Sequence, residues 1–395
     1  MDHFYQQLNQ DLKNLGGGVP QLVIDQQRLS QNVHYVLSQL QQAAHLQPRL
    51  VVKSLANMEL LQYLSQRLHT QRLMVFHIAH LHRLLEVFPQ ADMLLGKPMP
   101  IQAVRTFYQQ HKPTMQGRIQ WLVDQLPRLQ QYRQLAQQLN MCMDISIEID
   151  VGLHRGGINH PDLLEQMLKE IQQYPQYLHL AGLMGYDAHV TKVPGLISKA
   201  DLTYQNSQAQ YQRYIDVIRQ KAPSLWSEQL CLNGGGSPTF SFHVKQSVCN
   251  DLSFGSMLLK PTDFDLPHLT ALQPALFIAA PVLKNLAKIQ LPGMELLDKF
   301  NLPSLYQGVF IYGGYWMGQY VYPEGSKPHM LYGRSTNQEL VCVPKAYPVS
   351  LDDHIFLRPS QSEVVIPQFE HTYLYCAGQG VVQEAELIAW NNFRE

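Results

Sequence analysis

Lys53 closes the apolar run Leu50-Val51-Val52. A lysine amine held in such a place attacks carbonyl carbons and, when unprotonated, takes up protons. Three segments downstream carry other ligand-type groups: EIDVGLHRGG over residues 148–157, GLMGYDAHV over 182–190 and NGGGSPT over 233–239. Together they supply a guanidinium at Arg155, a phenol at Tyr186, an imidazole at His189, and a glycine run that includes Gly235 and Gly236, with Ser237 and Thr239 behind it. Successive glycines let backbone N–H groups approach an anion closely. Each feature also has an ordinary reading. A strand-end lysine is commonly a solvated boundary, a glycine run a turn, a lone histidine a satisfied structural residue, and an arginine after a strand a cap or surface charge. What sets the four segments apart is that each follows an apolar, strand-like run.

Periodicity supplies the elements that must position these groups. Short apolar runs alternate with longer amphipathic stretches, the pattern of parallel strands joined by crossover helices. The runs are RLVVK (49–53), RLMVF (72–76), ADMLLG (91–96), IQWLVD (119–124), DISIEID (144–150), LHLAGLMG (178–185), QLCLNG (229–234) and DLSFGS (251–256). Helices are expected over 57–69, 100–108, 127–139, 160–174 and 200–219. Eight such strands predict an α/β fold, a closed (β/α)8 TIM barrel over residues 30–265. After Asp265 the helical period gives way to turn-punctuated β-type segments, among them GVFIYGGYWMGQYVY, HMLYGR and QELVCVPKAY, so residues 266–395 are expected to form a C-terminal mostly-β domain. QLVID (21–25) is strand-like as well, and residues 1–29 read as an N-terminal arm packing with that domain.

In this frame every motif falls at or just beyond the C-terminal end of a barrel strand. Lys53 ends the first, Arg155 follows the fifth, Tyr186 and His189 the sixth and the glycines the seventh, while Gly255 and Ser256 close the eighth. That is the face where barrel enzymes assemble their sites, and the loops after the last two strands are the usual phosphate-binding place. A phosphate at one end and a lysine amine across the mouth describe pyridoxal 5′-phosphate held as a Schiff base.

Composition narrows the function classes without choosing among them. Thirty basic against 31 acidic residues leave a net charge of −1, so the balance does not point to nucleic acid or an anionic membrane. Five scattered cysteines with no CxxC spacing leave one over from any pairing, which fits a reducing, cytoplasmic setting. The N-terminal MDHFYQQLNQ lacks the progression of an export signal, and no apolar run has membrane-spanning length; a soluble protein is expected.

On these residues the chain resembles the fold-type III pyridoxal-phosphate enzymes, the superfamily of the alanine racemase N-terminal domain. Within it the chain is similar to the group of D-threonine aldolase and D-serine dehydratase. RLVVK looks like that group's R-P-H-x-K segment, with Arg49 and Lys53 matching; EIDVGLHRGG matches EIDVGxxRCG; GYDAH is similar to GYxGH; and NGGGSPTF resembles its glycine-rich loop. The resemblance covers most of residues 20–265 and implies a role for each position. Lys53 would carry the cofactor and serve as the base that removes the α-proton. Arg155 would donate to the phenolic oxygen or ring, and Tyr186 would fix the ring. Gly235, Gly236, Ser237 and Thr239, joined by Gly255 and Ser256, would bind the phosphate. His189 would be a further contact. The family also implies a homodimer, in which the β domain of one chain completes the site of the other.

Departures from the pattern bear on the reaction. The aldolase and dehydratase group carries a metal in a C-terminal segment of the form P-N-H-x-C or P-x-H-x-D, and the corresponding stretch here reads Pro359-Ser360-Gln361-Ser362-Glu363. Gln361 stands in the histidine position and Glu363 in that of cysteine or aspartate. An amide oxygen and a carboxylate lack the softness suited to zinc and would make at best a weak oxygen site for manganese or magnesium. His354, Glu370 and His371 lie nearby, but adjacent residues on a strand point to opposite faces, so Glu370 and His371 are not expected to chelate one ion together. Val51 and Leu55 replace family histidines around the lysine. In YGGYWMGQY, Tyr312 is a candidate for the second base that alanine racemases take from a partner subunit; its alternative is core packing or a dimer surface. Three readings stay open: a lyase acting on a β-hydroxy D-amino acid, a metal-independent amino-acid racemase using Lys53 and Tyr312, and a non-catalytic cofactor carrier.

Overall fold

The computed structural model describes residues 2–111, 117–193, 199–287, 289, 305–378 and 385–393. The chain divides into two compact units, one built from Val33–Leu55 and Leu60–Met257, the other from Met1–Asn32, Ala56–Glu59 and Leu258–Arg394. After the strand β1 (Gln21–Asp25), which belongs to the second unit, eight parallel strands close into a barrel. They are β2 (Gln47–Val51), β3 (Arg72–Val75), β4 (Asp92–Leu95), β5 (Arg118–Val123), β6 (Met143–Glu148), β7 (Leu178–Gly185), β8 (Cys231–Gly234) and β9 (Asp251–Phe254). Pairing of β2 with β9, in register from Gln47 opposite Asp251 to Leu50 opposite Phe254, closes the ring. The eight strands are the eight apolar runs of the sequence, each followed by helix. Such runs form strands here because helices cover the outside and side chains fill the inside, so both faces are buried. Leu73, Leu94, Leu122, Ile147 and Leu183 are all fully buried.

A polar belt crosses the first half of the barrel interior. Arg49, fully buried, gives two hydrogen bonds to Asp251, Nε to Oδ1 at 2.7 Å and Nη2 to Oδ2 at 2.9 Å. Its Nη1 reaches the Asp92 carbonyl at 2.8 Å and the Asp92 carboxylate at 3.2 Å. Arg72 and Asn233 also donate to Asp251, at 2.8 and 2.6 Å, and Gln120 links Asp92 to Ser146. Burial alone would push the Asp251 carboxyl upward, yet Arg49 and Arg72 hold it below the usual carboxylate range. A buried charge is tolerable only when paired and hydrogen-bonded in this manner. With its entry half filled, the barrel presents its open chemistry at the strands' C-terminal ends.

The second unit is mostly β: β10 (Leu276–Leu286), β11 (Tyr306–Tyr312), β12 (Gly318–Tyr322), β13 (Lys327–Pro328), β14 (Gln338–Pro344), β15 (His354–Pro359), β16 (His371–Cys376) and β17 (Glu386–Asn391). Together with β1 they form a nine-stranded sheet in which β1 lies between β10, antiparallel, and β16, parallel. The helix Asp2–Leu15 lays Tyr5, Leu8 and Leu12 on Val23, Phe277, Ala279, Phe356 and Tyr375. The segment HMLYGR forms a turn rather than a strand, the Gly333 N–H bonding the His329 carbonyl at 2.8 Å. All five cysteines are free, and among the described residues no helix is long and apolar enough to cross a membrane.

Candidate active site at the barrel mouth

The parallel ladder of β2 ends at Val51, opposite Met74, so Lys53 lies beyond the strand on a 3₁₀ turn, Val52–Leu55. Val52, Ser54 and Leu55 are buried in that turn while Lys53 is only partly so, with Nζ 4.8 Å from the centre of the Phe76 ring. Phe76 in turn packs against Gly96, where a Cβ would come within 2.3 Å of the end of the ring. An aromatic face attracts an ammonium group and gives the chain above it a fixed wall.

From this turn a run of close approaches leads around the mouth. A Cβ at Gly255, after β9, would stand 3.1 Å from Ser54 Cβ and 3.0 Å from the Val51 carbonyl oxygen. The N–H groups of Gly255 and Met257 donate to the Ser237 hydroxyl at 3.3 and 3.1 Å, tying the loop after β8 to the one after β9. Ser256, between them, opens a short helical turn. Gly235 has φ +75, the left-handed region, and a Cβ there would meet Leu252 at 2.4 Å. A Cβ at Gly236 would lie 3.0 Å from the Tyr186 ring, and the Arg155 guanidinium sits over that ring at 5.0 Å. Lys53, Arg155, Tyr186, Gly235, Gly236, Ser237, Gly255 and Ser256 therefore share one rim of the barrel.

Two expected ligands are engaged with other side chains of the protein. Thr239, fully buried, donates its hydroxyl to Asp187 Oδ1 at 2.7 Å. His189 lies on a 3₁₀ turn with Nε2 3.2 Å from Ser207 Oγ, and Gly152, at φ +114, leaves room for its ring. Its Nδ1 is buried with no hydrogen-bond partner among the described residues, and burial holds its pKa below the usual range.

Sequence reasoning missed four groups, Asp187 with His243 and Glu148 with Asp124. Asp187, the third residue of GYDAH, is 2% exposed and meets His243 Nε2 at 2.8 Å through Oδ2. Glu148, last in β6, has its carboxyl pushed up to about 7 by burial and by Asp124, with Arg155 opposing and Asp150 adding. Its oxygens and those of Asp124 border Gly156, which follows Arg155. No local pattern marks these residues, because their partners come from other loops; a buried acid directly after a motif tyrosine is the one available hint.

The family model described as alanine racemase, N-terminal domain, matches residues 24–262. The chain belongs to this family. No curated protein sequence matches it. Among solved structures, it is similar to D-threonine aldolase from Filomicrobium marinum, with 15% identity, a TM-score of 0.72, and coverage of 94% of this chain and 96% of that one. D-threo-3-hydroxyaspartate dehydratase from Delftia sp. HT23 gives 14% identity and a TM-score of 0.73 over 98% and 99% of the two chains. Alanine racemase from Bacillus anthracis with bound L-Ala-P gives 14% and 0.68 over 93% and 97%. At these identities the likeness carries the fold, a racemase-type barrel with a mostly-β domain.

Gln361 and Glu363, the positions that the resemblance expects at a metal site, lie in the mostly-β unit. Gln361 donates its amide to Asp263 Oδ2 at 2.8 Å, and Glu363 sits in the short helix Ser362–Val365. His354 is buried, bonds Asn9 through its backbone N–H at 2.7 Å, and has its pKa pushed down to about 4 by burial. Among the described residues no three His, Cys, Asp or Glu side chains are grouped to hold a metal ion. Tyr312 ends β11 and is 41% exposed, followed by Tyr315 at 62%. The loop bearing them is pinned by Gly313 N–H to the Asn337 carbonyl at 2.8 Å and Tyr315 N–H to the Ser335 carbonyl at 3.1 Å.

Proposed function

We propose that this chain is a pyridoxal-phosphate enzyme acting on an amino acid, with a lyase acting on a β-hydroxy D-amino acid as the leading reading. The observation that supports it is the shared rim: a lysine on the turn after β2, joined through Gly255 and Ser237 to a glycine loop that faces Tyr186 and Arg155. The residues fit the cofactor. Side chains at Gly235 and Gly236 would collide with Leu252 and crowd Tyr186, so this loop stays bare backbone, the material from which an anion cradle is made. When bound, the cofactor supplies an electron sink for the pair left by a bond broken at the substrate's Cα.

Around it, each residue has a stated task. Lys53 Nζ attaches the cofactor and, once released, holds the α-proton; the Phe76 face limits where that amine can swing. Tyr186 and Arg155 orient the ring, while Glu148 and Asp124 set the charge beside the guanidinium. The loop backbone at Gly235, Gly236 and Ser237 receives the phosphate end. We further propose a homodimer, in which exposed Tyr312 would serve the partner's site.

A racemase is the second reading, favoured by the engagement of Gln361 with Asp263 and of His354 with Asn9, which leaves a poor ligand set where the metal-using relatives hold theirs. The first test is borohydride reduction of the protein incubated with cofactor, followed by peptide mapping. The expected result is a stable adduct at Lys53 that is absent in Lys53→Ala, whose turnover falls by roughly 10²–10⁴-fold; an unlabelled Lys53 in the native chain sinks the proposal. Proton NMR in deuterium oxide with D- and L-amino acids then separates the reactions. Chelator-sensitive formation of an aldehyde or a 2-oxo acid from D-substrates means lyase, and chelator-resistant α-deuteration yielding both enantiomers means racemase.

A further inference from the structure

Asp187 is a buried carboxylate in the loop after β7 whose two oxygens both serve the segment after β8. Oδ1 accepts from the Thr239 hydroxyl at 2.7 Å, and Oδ2 meets His243 Nε2 at 2.8 Å. His243 is 1% exposed, and its other ring nitrogen meets Ser247 Oγ at 2.8 Å, so the imidazole is engaged on both sides. Thr239 returns its backbone N–H to the Gly236 carbonyl at 3.0 Å, and Gly236 faces the ring of Tyr186, the residue before Asp187. The path Tyr186, Asp187, Thr239, Gly236 and back to Tyr186 is a closed circuit of covalent links, hydrogen bonds and contact. One carboxylate thereby sets the height of the glycine loop against the tyrosine ring. A buried acid is tolerated only when its oxygens are hydrogen-bonded, and here Thr239 and His243 engage both of them.

From this circuit we propose that Asp187 is a positioning residue for the phosphate-binding loop, acting through Thr239 and His243, and that it confers selectivity for a phosphorylated cofactor over its unphosphorylated form. The inference rests on the cofactor reading above. Asp187 is 2% exposed, so it would act on the cofactor only through the backbone it fixes. Deleting either end of the Asp187–Thr239 bond lets the loop relax away from Tyr186, and loops aimed at an anion lose affinity when their N–H groups diverge.

The test measures dissociation constants of pyridoxal 5′-phosphate and of pyridoxal for the native chain and for Asp187→Asn, Thr239→Val, Thr239→Ser and the Asp187→Asn/Thr239→Val double variant. Far-UV dichroism and urea midpoints are recorded for each. The expected result is a loss on the order of tenfold or more for the phosphorylated form in Thr239→Val, which deletes the donor, and a loss in the same direction in Asp187→Asn, whose amide keeps one acceptor oxygen but not the charge. Pyridoxal affinity should stay within about twofold, because the lysine and ring contacts are untouched. Thr239→Ser, which keeps the hydroxyl, should match the native chain, and the double variant should be no worse than the worse single one. Parallel loss of both ligands, or unchanged selectivity in folded Asp187→Asn and Thr239→Val, overturns the inference while leaving the cofactor reading intact. A native chain that binds neither form at Lys53 overturns the cofactor reading and this inference with it.

Discussion

Replacing Asp251 by asparagine should destabilise the barrel severely. The carboxylate takes two bonds from Arg49 at 2.7 and 2.9 Å, one from Arg72 at 2.8 Å and one from Asn233 at 2.6 Å, all at a position with no solvent exposure. Asparagine keeps the shape but turns one acceptor into a donor facing a guanidinium and removes the charge. Arg49 then remains buried with Asp92 as its nearest carboxylate, at 3.2 Å. Leaving one member of a buried pair uncompensated costs about 3–5 kcal/mol. With a urea dependence of about 3 kcal/mol per molar, the midpoint should fall by roughly 1–1.7 M. The assay is urea unfolding followed by dichroism, with hydrogen exchange of β2 and β9 peptides to isolate the barrel from the β unit. The double variant Arg49→Met/Asp251→Leu, which removes both charges, should lose less than Asp251→Asn alone. A midpoint shift below about 0.3 M, or a double variant worse than the single one, refutes the reasoning that the charge pair governs this belt.

Two pH effects follow from buried groups. Glu148 has its folded pKa raised from 4.5 to about 7, so its favourable contribution is full below about 4.5 and is lost as pH rises through 7. Glu148→Gln should therefore match the native chain most closely in thermal stability at pH 4 and exceed it at pH 8; an equal difference at both pH values contradicts the assignment. His354 has its folded pKa lowered from 6.5 to about 4, so its contribution is full above 6.5 and is lost as pH falls toward 4. Protection factors of β15 amides, corrected for the intrinsic exchange rate at each pH, should fall between pH 7 and pH 4.5 by more in the native chain than in His354→Gln, and identical profiles would rule this out.

The barrel was legible because its strands are buried on both faces, so each appears as a short apolar run that a one-dimensional reading can find. RLMVF and ADMLLG, for example, fold as Arg72–Val75 and Asp92–Leu95. Lys53 was legible as a strand-end residue but not as part of a 3₁₀ turn, since the end of a ladder depends on the neighbouring strand, which pairs only as far as Val51 opposite Met74. The conformation of the glycine loop followed from residue type: Gly235 adopts a positive φ. The direction of the Thr239 hydroxyl did not, because its acceptor, Asp187, lies 52 positions away. Glu148 was hidden for the same reason. Its raised pKa comes from burial and from Asp124, a residue of another strand's end, and no spacing within EIDVGLHRGG encodes that.

The placement of β1 carries a consequence for how the chain is made. QLVID is buried at every position and flanked on both sides, by β10 and by β16. It leaves the ribosome before the barrel does, yet its neighbours are Leu276–Leu286 and His371–Cys376, which follow the whole barrel. During synthesis an apolar strand with two open edges must wait while an entire barrel is translated and folded. Such a segment is an aggregation hazard for as long as it waits. Slow elongation through the barrel or loss of chaperone cover should thus harm the yield of this protein more than its final stability, and relocating QLVID by circular permutation to follow β16 would shorten the exposure.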